Sequence, residues 1–458
     1  MHRFLISFFV FALLAAAEPA DTIVSARYVV TMDAQRRVIE NGAVAIRGER
    51  IVEVGTRADI DRKYHAKNRI DEPTSLVAPG LINTHTHAPM SLFRGIADDL
   101  RLQDWLTKFI FPAEAKNVNP EFVRWGTRLA CLEMLLSGTT TYVDMYYFEE
   151  VIAEETKAAG MRGVLGQSVI GFPVSDAKTP SDGLKRAELF IRRYQNDSLI
   201  VPAVAPHAVY TNSDETLKAA RELANRYKVP FVIHLSETKK ENDDSMAERH
   251  MTPTQLLESL GAFNGRTIAA HGVWVSDADI AILQRRGVGV AHCPSSNMKL
   301  ASGVAPVMKY LRAGVAVGLG TDGVAGSNND VNMFEEMDLA AKLQKVTSGD
   351  PEALNARQAM EMATIQGARA IGMQKEIGSL EAGKRADLIT VSLSEAHAVP
   401  MYNVYSQLVY ALKGSDVRHV VINGEIVVRD RKSVHIDSAA VLRKAAEYQR
   451  SVQSSLRP

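Results

Sequence analysis

The chain has 458 residues, 46% apolar and 23% charged, ordinary proportions for a globular protein with room for one large domain and a smaller one. Lysine plus arginine and aspartate plus glutamate balance at 53 each, so nothing in the charge points to nucleic acid or an anionic membrane, and a small, mostly neutral partner fits better. Only Cys131 and Cys293 are present, both in largely apolar settings; they read as buried thiols, because two thiols make neither a disulfide framework nor a structural zinc site.

In chain order, the first element is a leader. Arg3 is followed by a mostly apolar run from Phe4 to Ala17 that ends in Ala15, Ala16 and Ala17. A basic start, a short apolar core and a small-residue end describe a secretory signal peptide over residues 1–17, and the run is short for a bilayer span. Export to the periplasm or cell exterior is expected, with no membrane attachment once the leader is removed; an uncleaved anchor is the alternative. No later segment reads as a transmembrane helix.

Residues 23–55 form short β-branched runs broken by polar pairs such as Asn41-Gly42 and Arg47-Gly48, the pattern of hairpin-connected strands. Residues 378–391 and 417–428, the latter containing Asn423-Gly424, have the same character. Two β segments flanking a long middle predict a small β-sandwich built from residues 18–78 and 373–458, with a closing helix near 438–452.

Residues 79–372 differ. Short apolar segments recur with helical stretches between them: LINTHTH, TTYVDM, GVLGQSVI, LIVPAVAPH, PFVIHLSE, TIAAHGV, GVGVAHCP and VAVGLGTDG. Continuous apolar strands alternating with helices indicate parallel pairing buried on both faces, and eight such units close into a (β/α)8 barrel. An open doubly wound sheet fits less well, because polar residues fall at the ends of most strands rather than around one crevice.

Barrel chemistry sits at the carboxyl ends of the strands, and there the histidines collect. His85 and His87 end the first strand, His207 the fourth, His234 the fifth, His271 the sixth and His292 the seventh, with Asp322 after the eighth. Any one of these is more often structural; six of 12 histidines at strand ends is a pattern scattered residues would not produce. Imidazole nitrogens with one carboxylate suit a divalent ion of the zinc class. His85, His87 and His234 supply the nitrogens and Asp322 the oxygen. Such an ion brings the pKa of a bound water from about 15.7 to about 7. Asp322 is then placed to take the water's proton, Glu237 in HLSE to give a proton to a substrate nitrogen, and His271 to hydrogen-bond the nucleophile or the developing oxyanion. A competing reading makes Glu237 a carboxylate at a helix N-terminus.

The stretches NTHTHAPMSLFRGIADDLRLQDWL, APHAVY, HLSETKKE, AAHGV, HCPSSNMKLASG, LGTDGVAGSNN and GSLEAGKRADLITV resemble the amidohydrolase superfamily. Within it they are similar to the methylthioadenosine/S-adenosylhomocysteine deaminases and their chlorohydrolase-like relatives. The resemblance implies a metal-dependent (β/α)8 barrel with a small β-sandwich, ligands at His85, His87, His234 and Asp322, and catalytic roles for Glu237, His271 and Asp322. It implies one divalent metal, most often zinc with Fe2+ or Mn2+ as alternatives, since the fourth strand ends in Ala205-Pro206-His207 and offers no bridging carboxylate for a second. It also implies substrate contacts: Glu114 with ribose hydroxyls, His207 near the sugar, Trp105 as a pocket wall. Gln167 falls where adenosylhomocysteine-handling relatives resemble one another in carrying arginine, which favours methylthioadenosine or adenosine.

The expected activity is hydrolytic release of ammonia from an adenosine-type nucleoside. Deamination of guanine or a pterin, and deamination or dechlorination of a triazine, are the enzymatic alternatives; a non-catalytic metal- or ligand-binding barrel is the alternative from another class. GTDGVAGSNN lacks the Lys-Ser/Thr of a phosphate loop and reads as a turn after Asp322. The H-x-E with P-C-x-x-C pattern of the smaller zinc deaminases is absent. A homo-oligomer is compatible with the resemblance.

Overall fold

A computed structural model describes residues 17–456; the expected leader lies, apart from Ala17, outside the described residues. The first four strands are β1 (Glu18–Val30), β2 (Val38–Arg47), β3 (Arg50–Thr56) and β4 (Tyr64–Pro79). The barrel follows with β5 (Leu81–Thr86), β6 (Thr139–Tyr146), β7 (Arg162–Val169), β8 (Ile200–Pro206), β9 (Phe231–Leu235), β10 (Thr267–His271), β11 (Gly289–His292) and β12 (Val317–Leu319). The chain then returns to the small sheet as β13 (Leu388–Ser392), β14 (Val417–Ile422), β15 (Glu425–Arg429) and β16 (Lys432–Ser433), and ends in a helix over Ser438–Leu456.

Both termini build one hydrogen-bonded ladder, ordered β16-β15-β14-β13-β4-β1-β2-β3. The joint is β13 against β4, antiparallel from Leu388 opposite Pro79 to Ser392 opposite Ser75. The two layers expected of the sandwich arise by curling this ladder: Ile51 N donates to Lys384 O and Ala386 N to Glu49 O, so one edge meets the segment preceding β13. Val24, Val44, Ile46, Val77, Leu388 and Val421 fill the resulting core, separate from that of the barrel. Asn423-Gly424 is the expected hairpin turn, with both residues at positive φ, the geometry that matches strand twist. Asn41-Gly42 is not a turn. It lies inside β2, where a Cβ on Gly42 would come within 2.6 Å of Val29 Cγ2; the glycine serves a close cross-strand approach.

Gly80 alone separates the small sheet from the barrel, and a Cβ there would come within 2.1 Å of Thr140 Oγ1. The barrel strands pair in chain order, β5 through β12, with parallel registers such as Thr267 opposite Phe231 and Ile268 opposite Gly289. Ile82, Val143, Val164, Ala203, Val232 and Ile268 pack against one another from six successive strands and fill the interior. The seam between β12 and β5 is closed largely by side chains: Thr84 Oγ1 donates to Leu319 O at 2.8 Å, Thr321 N to Asn83 Oδ1 at 3.0 Å, and Asp322 N to His85 O at 2.9 Å. That seam sets Asp322 beside the first-strand histidines. Among the described residues no helix is long and apolar enough to cross a membrane.

Candidate metal centre and substrate cleft

His85 and His87 bring their rings to 4.9 Å between centroids, and His234 lies 4.9 Å from His85 and 5.4 Å from His87. Asp322 Oδ1 stands 3.4 Å from His85 Nε2 and 3.3 Å from His87 Nε2. Ligand atoms of His85, His87 and His234 all lie within 4.8 Å of one another, and so do those of His85, His271 and Asp322.

The far side of each ring decides what the near side offers. His87 Nδ1–H donates to Met145 O at 2.7 Å and His234 Nδ1–H to His207 O at 2.8 Å, so each ring, in its neutral form, turns an Nε2 lone pair inward. His85 is buried with neither nitrogen in a hydrogen bond, a cost a buried polar group rarely bears without a further partner. Asp322 sits three residues beyond β12 at φ +63°, pinned by Ser296 Oγ–H on Oδ2 at 2.7 Å and Gly323 N–H on Oδ1 at 2.7 Å. Left-handed backbone at a non-glycine residue is strain held by its surroundings.

Electrostatics point the same way. Burial lowers His85 to about 4. Burial also opposes charge on His87, but the Asp322 carboxylate carries it up to about 9. Burial would raise Asp322, yet the two histidines hold it well below the usual carboxylate range. The cluster is built around a positive charge, and three inward imidazole nitrogens with one carboxylate fit a zinc-class divalent ion.

Glu237 lies just past β9 and is buried. Its Oε2 faces His271 Nε2 across 3.8 Å. Burial, reinforced by Asp322, pushes its pKa up to about 8, which leaves a proton on it at neutral pH. It precedes the helix Lys239–Arg249 rather than serving as its cap; Thr238 does that. His271 ends β10 at φ +72°, its Nδ1 3.1 Å from Asn297 Oδ1 and its Nε2 unpartnered.

The cluster borders a partly open cleft, about 550 Å³ of space free of protein atoms with its open mouth included. Glu114, Trp105 and His207 line it. Glu114 is held by Tyr146 Oη–H at 2.7 Å and Tyr147 Oη–H at 3.3 Å; burial raises it to about 7 against the pull of those hydroxyls and His87. Trp105 donates its indole N–H to Ala325 O at 2.9 Å, so the turn after Asp322 supports the pocket wall. His207 Nδ1 meets Thr211 Oγ1 at 3.1 Å. Gln167 is not brought to the cleft. Successive strand residues face opposite sides, and on β7 it is Ser168 that lines the space, while Gln167 Nε2 donates to Asp176 Oδ2 at 2.9 Å. His292 is buried, unpartnered and outside the lining.

Several participants escaped the sequence reading. Tyr146, Tyr147 and Tyr210 line the cleft, and Leu102, Leu106, Ile110 and Phe111 form its apolar wall. Asp144 Oδ1 accepts from Thr86 Oγ1 at 2.7 Å and Ala88 N at 2.6 Å, clamping both neighbours of His87. Asp144, Tyr146 and Tyr147 do end a recognisable strand, TTYVDMYY, and Tyr210 ends APHAVY; Ser296 and Asn297 lie within HCPSSNMKLASG, where nothing local says which side chains they meet.

Fold and site together define a metal-centred hydrolase of the (β/α)8 type. An amidohydrolase family model matches residues 76–427, and the chain belongs to that family. It is 46% identical over 435 residues to a 5-methylthioadenosine/S-adenosylhomocysteine deaminase of Thermodesulfovibrio yellowstonii, covering 94% of this chain and 99% of the relative. It is also 46% identical over 434 residues to a 5'-deoxyadenosine deaminase of Methanosarcina barkeri, covering 93% and 98%. A crystal structure of an adenosine deaminase from Xanthomonas campestris with bound zinc superposes with a TM-score of 0.94 at 40% identity, covering 96% of this chain and all of that one.

Proposed function

We propose that this protein is a zinc-dependent deaminase of adenosine-type nucleosides, releasing ammonia by hydrolysis. The observation that carries the reading is the placing, along one cleft, of a three-histidine, one-carboxylate cluster, the buried Glu237 and the tyrosine-held Glu114. His85, His87, His234 and Asp322 would hold the ion. A bound zinc supplies Lewis acidity that makes water nucleophilic near neutral pH.

The chain's own groups do the rest. Asp322 takes the proton of the attacking water as a carbon–oxygen bond forms at the amino-bearing carbon. Glu237 gives its proton to the ring nitrogen that gains electron density. His271 Nε2, unpartnered and beside Glu237, hydrogen-bonds the water or the oxygen it becomes. The carbon–nitrogen bond then breaks: Asp322 passes the water's first proton to the amino group, which leaves as ammonia, and the second, from the hydroxyl that becomes the carbonyl, reloads Glu237. Glu114 accepts from sugar hydroxyls, and the apolar wall excludes bulk water.

The wall also ranks substrates. Among the described residues the cleft lining contains histidine and carboxylates but neither lysine nor arginine, and an amino-acid carboxylate on the 5' substituent would lack a charge partner there. That lining, rather than Gln167, which faces away from the cleft, favours methylthioadenosine, 5'-deoxyadenosine and adenosine over adenosylhomocysteine. Ammonia release and product mass from zinc-loaded protein test both points. Inosine-type products in that order support the reading; turnover of guanine or a chlorotriazine in place of any nucleoside overturns it. The basic start and apolar run of residues 3–17 support export, checked by fractionation and N-terminal sequencing; a cytoplasmic product refutes export, and an intact Met1 on an exported product makes the segment an anchor.

A further inference from the structure

The acid assigned to Glu237 rests on a backbone that one side chain controls. Between the ligand His234 and Glu237 the chain passes through Ser236 at φ +48°, a conformation unfavourable for a residue with a Cβ. The Glu237 carboxyl is 3.8 Å from His271 Nε2, its nearest ion-pairing neighbour, beyond hydrogen-bond reach. Its aim is therefore set by the main chain that carries it.

Glu241 holds that main chain. Its Oε1 accepts from Ser236 N at 3.1 Å and its Oε2 from Glu237 N at 2.7 Å, and the side chain is buried. Glu241 occupies the third position of the helix Lys239–Arg249, whose N-cap Thr238 accepts from Glu241 N at 3.2 Å. A glutamate there ordinarily folds back onto the N-cap's own N–H to complete a capping box. Here both oxygens reach past Thr238 to the two preceding residues. The helix has given up half of its cap, and the carboxylate braces the loop between ligand and acid. Ser236 O accepts in turn from Val273 N at 3.0 Å and Trp274 N at 2.9 Å, which ties the same loop to the residues just after His271.

We infer that Glu241 is a positioning residue for the reaction: its carboxylate fixes the Ser236–Glu237 backbone and thereby aims the Glu237 proton donor at the substrate. The inference rests on the deaminase reading for its kinetic test, and on backbone protection for a test that does not. A misplacement of about 1 Å at a reacting group costs on the order of 100-fold in rate. E241A should therefore lower kcat on methylthioadenosine about 10- to 100-fold, with KM and zinc content held near wild type. E241Q, similar in size but able to accept only one of the two N–H groups, should fall between, and carries the test if E241A does not fold.

Thr238→Val separates positioning from helix stability: losing the N-cap should lower the melting midpoint while leaving kcat within about twofold. Amide hydrogen exchange should show Ser236 and Glu237 N–H protected in the wild type and fast in E241A. Wild-type kcat in both Glu241 variants, a loss that tracks zinc content, or a Thr238→Val enzyme equally impaired would each overturn the inference. Absence of nucleoside turnover in the wild type would instead sink the deaminase reading; unchanged amide protection in E241A would then sink the positioning role by itself.

Discussion

Among the described residues, histidines and carboxylates come within metal-binding distance in two places: at the barrel mouth, where His85 joins both His87 with His234 and His271 with Asp322, and in the small sheet, where His419 meets Glu72 and Asp430. Ligand type and spacing do not tell them apart; unspent hydrogen-bonding capacity does. His419 Nε2–H donates to Glu72 Oε1 at 2.9 Å, its Nδ1 accepts from Asp430 N at 3.3 Å, and Arg418 pairs with Asp430 at 2.6 Å. Every charge there already has a partner. At the barrel mouth both His85 nitrogens and His271 Nε2 are unpartnered, and the outer nitrogens of His87 and His234 are fixed so that the inner ones converge. A satisfied cluster holds a fold together, whereas an unsatisfied one in a cleft is ready for a ligand.

The comparison breaks most visibly by removing a barrel ligand. His234→Ala should abolish stoichiometric zinc by elemental analysis and lower turnover by about 1000-fold or more, and chelation of the wild type should do the same reversibly. Next in size, Glu237→Gln keeps the shape but cannot give a proton. It should retain zinc and lose about 100- to 10000-fold in kcat; near-normal kcat would remove Glu237 from the chemistry.

The pH dependence sharpens the contrast further. Glu114 accepts sugar hydroxyls only as a carboxylate, and burial raises it to about 7, so kcat/KM should rise with pH through about 7. Glu237 donates only while protonated, and burial with Asp322 places it at about 8, so the profile should fall above about 8. Glu114→Gln should flatten the acid limb alone. The smallest functional effect belongs to the sheet cluster: His419→Ala should keep zinc content and activity within about twofold while lowering stability by about 1–3 kcal/mol, since it removes the donor to Glu72 Oε1 and the acceptor of the Asp430 N–H. Zinc lost in that variant would show the two clusters had been wrongly distinguished.

How much was legible follows from what is local. The strands of the barrel, the returning small sheet and the hairpin at Asn423-Gly424 could be read because apolar runs and turn residues act over a few positions. Asn41-Gly42 misled, since the same dipeptide that makes a turn also permits close strand packing, and only the neighbouring Val29 decides between them. Gln167 misled for a related reason: one step along a strand reverses the face, and β7 turns Ser168 to the cleft.

Residue order alone carries the alternation of strands and helices, the placing of histidines at strand ends, and hence the type of ion and reaction they suit. Folding settles which nitrogens are free, because that depends on carbonyls and side chains far away in the chain: Met145 for His87, His207 for His234, Asn297 for His271. It also decided that Asp322 meets His85 across a seam closed by Asn83 and Thr321, that Tyr146 and Tyr147 hold Glu114, and that Glu241 reaches back to the loop bearing Glu237. Residue types carry chemical potential locally; burial and partners, which set whether that potential is spent or available, are properties of the folded whole.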